Sequence, residues 1–399
     1  MLGHACIDRA IPIAVFVIWG ALVGPLRAEP PRAVPVDGEP FPAEIATIEG
    51  NWRIEFRSKD RERRLAADDL VGWGHFREAQ QGSIVVMADG GLLRADILSA
   101  DKQGLLVDVL SLGAARLPWK TLAGVVLRPP AGRRQTDLLL DRILKMSSPA
   151  DRLLLTNDDE LSGLFVAWDN QTIRLQGDAG PLDISVDAIR ALVFDPALRQ
   201  EPPEGRGVRA WIGLADGSRL LARKVVLQGD QLEIVAAIGP TWDTTAEKLV
   251  ALQPLGNRVS YLSDLQPNGY RHIPYLNQAW PFRTDRNVSG GFLRAGGRLY
   301  LKGLGMHSLS RLTYPIDPNS RRFQAELAID DWAAGGSVQF RVFVDGRPVY
   351  ASGPIRGGDV PKAIDVDVVG AERLDLVVDF GERADQLDRA DWLDARLVR

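Results

Sequence analysis

The sequence has a single cysteine. This residue, Cys6, lies near the start of a chain of 399 residues, ahead of an apolar run. If that segment is removed on export, the remaining chain has no cysteine, which excludes disulfides, thiolate metal sites and cysteine nucleophiles. The fold must then be stabilised by buried apolar side chains, and a chain of this length can bury enough of them.

Histidine and the motifs of common enzymes are scarce as well. Beyond residue 28 the histidines are His75, His272 and His307, far apart and without an HExxH pair, so a zinc hydrolase is not expected. There is no GxSxG elbow, no GxxxxGK loop and no complete GxGxxG fingerprint. Two facing carboxylates could cleave a glycosidic bond, but 52 acidic residues give many accidental pairs. We therefore predict a non-catalytic protein, with a glycosidase as the weaker alternative.

The chain also lacks an excess of positive charge. Its formal net charge is −4, so the electrostatic attraction that underlies most nucleic-acid binding is missing. With 45% hydrophobic and 25% charged residues, the composition is that of a globular protein of two or three domains. Nucleic acid is not an expected partner.

The first residues have the pattern of a secretory signal. Arg9 precedes an apolar run from Ala10 to Val23, and Ala28 is a small residue where cleavage could fall. The rival interpretation is a membrane anchor, which needs about 20 apolar residues, more than this run has. We predict a signal peptide over residues 1–28, no membrane span after its removal, and a secreted, periplasmic or cell-envelope location.

Prolines are dense directly after this segment. They are Pro30, Pro31, Pro35, Pro40 and Pro42. A helix or a central strand does not tolerate prolines at this density. The pattern predicts a linker over residues 29–43.

Residues 44–255 alternate between apolar and polar side chains, which predicts β structure. Within this region one pattern occurs three times: two strands joined by an acidic turn, and later an apolar run that ends in proline. The three copies lie near residues 84–129, 153–196 and 210–254. We interpret them as diverged copies of one small β unit, in the manner of SH3-like or Sm-like barrels, with a further partial copy at 51–74. Such an array could bind a protein partner or act as a spacer.

Two features inside this region have specific interpretations. The turn aspartates Asp89, Asp158 and Asp216 are typical of tight hairpins, so we favour a structural role for them over a metal site. Residues 137–146 break the β pattern and predict a helix, with Asp137 as its cap and a stop at residues 147–149.

The last third of the chain contains a series of short sequence motifs in a characteristic order. They are YLSDL at 261–265, KGLGMHSLSRLTY at 302–314, FQAELAIDD at 323–331, GSVQFRVFVDG at 336–346 and ADWLDARL at 390–397. In these motifs and their order, residues 259–399 resemble the NPCBM module, a carbohydrate-binding domain often found beside family-98 glycoside hydrolases. The resemblance implies a jelly-roll sandwich similar to galactose-binding domains, with ligands held by loops at one end of the sheets.

The alternation of side chains in this third independently predicts an antiparallel β-sandwich. Residues 302–308 are predicted to form a tight loop between two strands, with Gly303 and Gly305 allowing an unusual backbone or a close approach. His307 would lie just beyond the bend, either as a histidine held by backbone hydrogen bonds or as a donor to a ligand. Trp392 is expected to be buried between the sheets.

Sugar binding requires an aromatic face for the pyranose ring and polar groups for its hydroxyls. Trp280 and Trp332 lie in turn-rich segments with such groups nearby. Whether these two residues and His307 line one exposed concavity would help to distinguish sugar binding from the interaction alternative. The candidate carbohydrate-binding residues are Trp280, Arg283, Asp285, His307, Asp331 and Trp332. An acidic cluster, Asp385, Asp388 and Asp391, could hold a structural calcium ion or be a solvated turn.

The sequence therefore predicts an all-β, exported, non-catalytic protein that binds carbohydrate through loops of its C-terminal sandwich. The alternative is an interaction or scaffold protein of the cell envelope that does not bind sugar.

Overall fold

The computed structural model describes residues 30–399 except 60, 79–81, 148, 170, 202–206, 257 and 276. The predicted signal peptide lies outside the described residues. Residues 31–399 form one compact unit, which is almost entirely antiparallel β structure. In the described part of the chain, no helix has both the length and the apolar character that a membrane crossing requires.

The N-terminal part of this unit begins with six strands. They are β1 (Arg32–Pro35), β2 (Phe41–Pro42), β3 (Glu44–Ile48), β4 (Arg53–Arg57), β5 (Glu62–Ala66) and β6 (Leu70–Gly74). Strands β3 to β5 form a meander, and β6 closes the partial copy after a short 3-10 helix, Ala67–Asp69.

The predicted linker over residues 29–43 is wrong, because its described part contributes strands to the fold. Strand β1 pairs with both β2 and β6, and Ala33 and Val36 are fully buried. Pro35 is tolerated because the register of β1 against β6 shifts between Val34 and Pro35. Pro42 is tolerated because β2 pairs with β1 on one side and is an edge strand.

Each of the three predicted copies contains five strands. In the first copy they are β7 (Ile84–Met87), β8 (Leu92–Asp101), β9 (Gly104–Val109), β10 (Gly113–Leu117) and β11 (Leu122–Val126). In the second they are β12 (Asp151–Leu155), β13 (Glu160–Trp168), β14 (Thr172–Gly177), β15 (Gly180–Ser185) and β16 (Ile189–Val193). In the third they are β17 (Arg209–Leu214), β18 (Arg219–Gln228), β19 (Gln231–Ala236), β20 (Thr241–Thr245) and β21 (Leu249–Leu255).

The copies share one topology. In each, the first strand pairs with both the second and the fifth, so that the meander closes on itself. A 3-10 helix precedes the fifth strand in every copy: Trp119–Thr121, Val186–Ala188 and Ala246–Lys248. The copies are joined through their closing strands, since β11 pairs with β16 and β21 pairs with β6. That they descend from one unit stays a prediction.

The acidic turns join the first two strands of each copy, as predicted. Asp158 has a positive φ of 70°, and Gly90 and Gly217, which follow the other two aspartates, have φ values of 90° and 85°. The carboxylate of Asp216 accepts a hydrogen bond from the backbone N–H of Ser218 at 2.8 Å. These aspartates therefore stabilise turns.

The predicted helix is present but begins earlier than expected. Helix α1 spans Arg133–Lys145, and its N-cap is Gly132. The prediction that Asp137 caps the helix is wrong, because Asp137 lies in its second turn and is almost fully buried. Its carboxylate accepts a hydrogen bond from Arg294 in the C-terminal third at 2.5 Å.

The C-terminal third is a sandwich of two antiparallel sheets. Its strands are β22 (Val259–Tyr261), β23 (Gly269–His272), β24 (Arg283–Thr284), β25 (Leu293–Ala295), β26 (Arg298–Tyr300), β27 (Gly303–His307), β28 (Ser310–Pro315), β29 (Arg322–Ile329), β30 (Ser337–Val344), β31 (Arg347–Arg356), β32 (Lys362–Asp367), β33 (Arg373–Phe380) and β34 (Arg389–Val398). One sheet has the order β24-β27-β34-β29-β32 with β22 beside β34, and the other has the order β23-β28-β33-β30-β31. Strands β25 and β26 form a separate hairpin.

The core of the sandwich lies between the two sheets. Trp392 on β34 is fully buried, and its ring meets Phe340 of the opposite sheet edge-on, with ring centres 4.9 Å apart. The prediction that Trp392 is a core residue is confirmed.

The predicted loop at 302–308 is wrong, because most of it forms strand β27, which pairs with β34 along its whole length. The glycines do permit a close approach, as expected. A Cβ atom on Gly305 would lie 2.4 Å from both the carbonyl oxygen of Arg286 and the backbone nitrogen of Val288. His307 is therefore the last residue of a buried strand.

The sandwich packs directly against the N-terminal copies. Phe292 and Leu299 belong to the same apolar cluster as Ile84 of the first copy and Leu140 of helix α1. Helix α1 adds polar contacts, since the backbone N–H of Phe292 donates to Asp137 at 3.0 Å.

Candidate functional site

Trp280 and His307 form an aromatic pair at one edge of the sandwich. Their rings are parallel, with an angle of 3° between planes and centres 4.9 Å apart. Trp280 lies in the segment that precedes β24 and is partly exposed, whereas His307 is only 5% exposed. The structure therefore brings two of the predicted site residues together.

Backbone contacts fix the orientation of the histidine ring. Its Nδ1 donates a hydrogen bond to the carbonyl oxygen of Ser308 at 3.0 Å, and because a carbonyl can only accept, the proton of the neutral ring is on Nδ1. Burial lowers the pKa of His307 below its usual value. At neutral pH the ring is uncharged, and its Nε2 can accept a hydrogen bond.

Hydrogen bonds also hold the tryptophan segment in place. Tyr270 on β23 donates from its hydroxyl to the carbonyl oxygen of Trp280 at 2.6 Å. The Tyr270 hydroxyl also lies 3.2 Å from the Ser310 hydroxyl, which in turn donates to the carbonyl oxygen of His307. This chain of contacts ties both rings to the two sheets.

The two rings line a small depression with a volume of about 180 Å³. The other lining residues are Gln278, Asp385, Leu387 and Arg389. Arg389 is the register partner of His307 where β27 and β34 begin to pair, and Asp385 and Leu387 lie in the turn before β34. The depression thus combines an aromatic surface with an amide, a carboxylate, a guanidinium and an imidazole.

Trp332 is not part of this depression. It lies in a 3-10 helix, Asp331–Ala333, and is 46% exposed. Its loop runs beside the turn before β34, because a Cβ atom on Gly335 would lie 3.2 Å from the side chain of Leu387. Of the three residues whose shared concavity would favour sugar binding, Trp280 and His307 line one depression and Trp332 does not.

Arg283 and Asp285, two further predicted site residues, bind to other parts of the fold and not to the depression. Arg283 donates to the carbonyl oxygen of Val288 at 3.2 Å. The carboxylate of Asp285 accepts hydrogen bonds from Lys302 at 3.0 Å and from the backbone N–H of Gly303 at 3.1 Å. Neither residue lines the depression, and Asp285 serves to close the turn before β27.

Asp331 is likewise engaged with the backbone. Its two carboxylate oxygens accept hydrogen bonds from the N–H groups of Gly296 and Gly297, both at 2.9 Å. It therefore anchors the hairpin of β25 and β26, and it does not line the depression.

The three aspartates of the predicted calcium site are not brought together. Asp388 is fully buried and accepts a hydrogen bond from the backbone N–H of Ser337 at 3.3 Å, and burial raises its pKa to about 6. Burial and the nearby Asp330 raise the pKa of Asp391 well above its usual range. Asp385 lines the depression. Within the described ranges, no group of three carboxylate or histidine side chains could hold a metal ion.

Sequence reasoning missed Gln278, Leu387 and Arg389, and it assigned Asp385 to a different role. Arg389 lies beside His307 only because β27 and β34 pair in a particular register. No short-range pattern indicates a contact between strands that are so far apart in the sequence. The clustering of polar residues around Trp280 was the available signal, and it pointed to the wrong neighbours.

The fold and the site define the class of domain to which the C-terminal third belongs. It is a two-sheet antiparallel sandwich with an aromatic depression at one edge. Residues 258–398 match the family model of the NPCBM/NEW2 domain. The C-terminal third of the chain is therefore a domain of this family, as its sequence motifs predicted.

Curated and solved relatives match different shares of the chain. The alpha-1,3-galactosidase B of Akkermansia muciniphila is 35% identical over 117 residues, which are 28% of this chain and only 15% of that enzyme. A CBM51 module from Clostridium perfringens GH95, solved with methyl-galactose, is 25% identical and matches 35% of this chain and 99% of its own, with a TM-score of 0.32. The CBM51-2 and INT domains of Clostridium perfringens ZmpB, solved with GlcNAc, are 21% identical and match 55% of this chain and 44% of their own, with a TM-score of 0.33.

Proposed function

We propose that the protein binds carbohydrate in the depression formed by Trp280, His307 and Arg389. The observation that carries this proposal is the parallel stack of Trp280 on His307 at the edge of a depression lined by charged and amide groups. The membership of the C-terminal third in the NPCBM/NEW2 family supports it.

The chemistry of the depression suits a sugar ring. The exposed part of the Trp280 indole offers an apolar surface to the C–H face of a pyranose. Arg389 and Gln278 can donate hydrogen bonds to hydroxyl groups, whereas Asp385 and the Nε2 atom of His307 can accept them. Because the two rings are already fixed by their stacking and by backbone contacts, little side-chain entropy is lost on binding.

The volume of the depression, about 180 Å³, is below the usual range for drug-sized ligands, about 300 to 1,000 Å³. We therefore infer that it holds one terminal sugar residue. One relative is a galactosidase, and the CBM51 modules were solved with methyl-galactose or GlcNAc; galactose and GlcNAc are therefore the first candidates.

We further propose that the protein is exported and non-catalytic, with the N-terminal copies acting as a spacer or as a docking surface for a protein partner. The segment that would direct export lies outside the described residues. The chain spans a small fraction of the galactosidase that it matches, so the activity of that enzyme is not transferred to this protein.

A glycan array probed with the full-length chain tests the proposal. We expect binding to glycans that end in galactose or in N-acetylglucosamine, and we expect Trp280→Ala to abolish it by removing the apolar surface. Trp332→Ala is the matched control, since it removes an exposed tryptophan from the same domain outside the depression.

Three results would count against the proposal. Binding that is lost in Trp332→Ala and kept in Trp280→Ala would move the site to the other loop. The absence of binding to any glycan would favour the alternative, an interaction protein of the cell envelope. Turnover of a chromogenic glycoside by the purified chain would show that the protein is a glycosidase.

A further inference from the structure

A second cavity lies where the N-terminal copies, helix α1 and the sandwich meet. Its volume is about 560 Å³. The first copy contributes Leu92 and Arg94, the third copy contributes Arg219, and the sandwich contributes Phe292 and Leu299. We call this space the junction cavity. It is separate from the depression at Trp280, with which it shares no lining residue.

The charges around the junction cavity are unequal. Its lining includes five arginines and two carboxylates: Arg77, Arg94, Arg133, Arg219, Arg294, Glu78 and Asp137. Both carboxylates are bound by one arginine, since Arg294 donates to Asp137 at 2.5 Å and also to Glu78. The remaining four arginines give the cavity a net positive charge.

Arg219 is the most deeply placed of these four. It is only 7% exposed, and its guanidinium lies over the ring of Phe292 at 4.3 Å. No carboxylate of a described residue lies within ion-pair distance of it. Burial lowers its pKa to about 9. Asp137 and Glu78 favour the charged form of Arg219, but both carboxylates are hydrogen-bonded to Arg294. A buried cation without an ion-pair partner of its own is costly to a fold, so this position favours an anion in the cavity.

Arg94 lines another wall of the cavity, where burial lowers its pKa and the carboxylate of Asp216 partly offsets that effect. One of its terminal nitrogens donates to the carbonyl oxygen of Gly82 at 2.6 Å. Its Nε atom has no hydrogen-bond partner among the residues that the structure describes, and it is shielded from the cavity by its neighbours. Arg94 therefore contributes its positive charge to the lining of the cavity.

The first turn of helix α1 faces the same space. Pro130, Ala131, Arg133 and Thr136 line the cavity. The N-cap residue Gly132 has no capping side chain of its own, although the side-chain oxygen of Gln135 lies beside it, 2.0 Å from where a Cβ atom would be. The N-terminus of a helix favours anions through its N–H groups and through the helix dipole. Helix geometry and the buried arginine thus point to the same kind of ligand independently.

We propose that the junction cavity binds a small organic anion, whose carboxylate or sulfate group is held by Arg219, Arg94 and the first turn of helix α1. The apolar side chains of Leu92, Leu140 and Leu299 line the same cavity and can contact the body of such a molecule. The volume lies within the range of small-molecule sites, about 300 to 1,000 Å³. An acidic monosaccharide has this size and chemistry.

Isothermal titration calorimetry on the full chain at constant ionic strength tests the proposal. The ligands are glucuronate, N-acetylneuraminate and sodium sulfate, with galactose as the neutral comparison. We expect the acidic sugars to bind more tightly than sulfate, because sulfate lacks the apolar body. Binding of sulfate as tightly as the acidic sugars would overturn the assignment to an organic anion.

Two variants on neighbouring residues of helix α1 separate a site from general electrostatics. Both Arg133 and Arg134 are exposed, but only Arg133 lines the cavity. The variants Arg133→Glu and Arg134→Glu change the net charge equally. We expect Arg133→Glu to weaken binding at least about tenfold, because it replaces a positive charge on the cavity lining with a negative one. Arg134→Glu should leave binding nearly unchanged. Equal weakening by both variants, or no binding of any anion, would overturn the proposal.

A third variant addresses the buried arginine. Arg219→Met keeps an unbranched side chain over Phe292 and removes the charge. We expect it to abolish anion binding and to raise the melting temperature of the ligand-free protein, since an unpaired buried cation is gone. A variant that folds and binds the acidic sugars as well as the wild type would contradict the role given to Arg219. If the variant does not fold, the pair on helix α1 still decides the proposal.

Discussion

Replacing His307 with phenylalanine separates its structural role from its proposed binding role. The ring of His307 is 5% exposed and lies parallel to Trp280. Phenylalanine preserves a flat ring against Trp280 but removes both nitrogens. The variant therefore loses the hydrogen bond to Ser308 and the proposed acceptor for a sugar hydroxyl, and keeps most of the packing.

The magnitude follows from the contacts. The hydrogen bond from Nδ1 to the Ser308 carbonyl contributes about 1 kcal/mol to stability, so His307→Phe should lower the free energy of unfolding by about that amount. In His307→Ala the stacking on Trp280 is lost as well, which adds about 1 kcal/mol, together with a cavity term. We expect a loss of about 2 to 3 kcal/mol for alanine.

The pH dependence has a definite sign. The pKa of His307 in the folded protein is lowered from 6.5 by burial, so on acidification the unfolded chain binds the proton first. The stability that depends on the neutral ring is present above pH 6.5 and is lost as pH falls toward the folded-state pKa. The phenylalanine variant should lack this component.

Urea denaturation between pH 5 and pH 8, combined with glycan affinity at pH 7.5, measures both effects. We expect His307→Phe to fold, to show a weaker pH dependence than the wild type, and to bind glycan poorly. A variant with unchanged stability and unchanged glycan binding would refute both roles. A variant with lowered stability and full glycan affinity would show that the imidazole nitrogens serve only the fold.

Two further predictions concern stability. Gly305→Ala should destabilise the sandwich by about 1 to 3 kcal/mol, because its Cβ would lie 2.4 Å from backbone atoms. Gly269→Ala is the control, because a Cβ atom there would have nothing within 4 Å. Equal urea midpoints for the two variants would contradict the steric argument. Burial raises the pKa of Asp394 from 3.8 to about 7, so the folded protein binds a proton that the unfolded chain releases, and stability should fall as pH rises through that interval. Asp394→Asn removes this titrating group. If the urea midpoint of the variant changes with pH in the same way as that of the wild type, Asp394 is not the source of the pH dependence.

Short-range patterns predicted a substantial part of this fold. The hairpin at Asp216 and Gly217 follows from turn chemistry that involves neighbouring residues only. The burial of Trp392 follows from its position in an alternating strand of the sandwich. The first prediction depends on interactions between neighbouring residues, and the second depends on which face of a strand is apolar.

The predictions that failed depend on contacts between distant residues. The density of proline around Pro35 and Pro42 predicts a linker, but it carries no information on strand β6, which pairs with β1. Asp137 was placed at a helix cap because its partner, Arg294, lies 157 residues further along the chain. Local preference was overridden in each case by tertiary pairing.

The same limit applies to the candidate site. Trp280 and His307 were chosen for their chemistry, and the structure places them together. Asp285 and Asp331 were chosen for their closeness in sequence to a tryptophan, yet both carboxylates are used by backbone N–H groups. Residue type was informative, whereas proximity along the chain was not.

The packing of the sandwich against helix α1 and the first copy has a mechanical consequence. A binding domain on a flexible tether samples many directions and loses that freedom when it is captured. Here Phe292 and Leu299 are buried against the N-terminal copies, so folding has already removed that freedom. If the Trp280 depression binds a glycan on a surface, the N-terminal copies would be held at a fixed angle and distance from that surface. A force applied to the N-terminal copies would then reach the bound glycan without first extending a flexible linker.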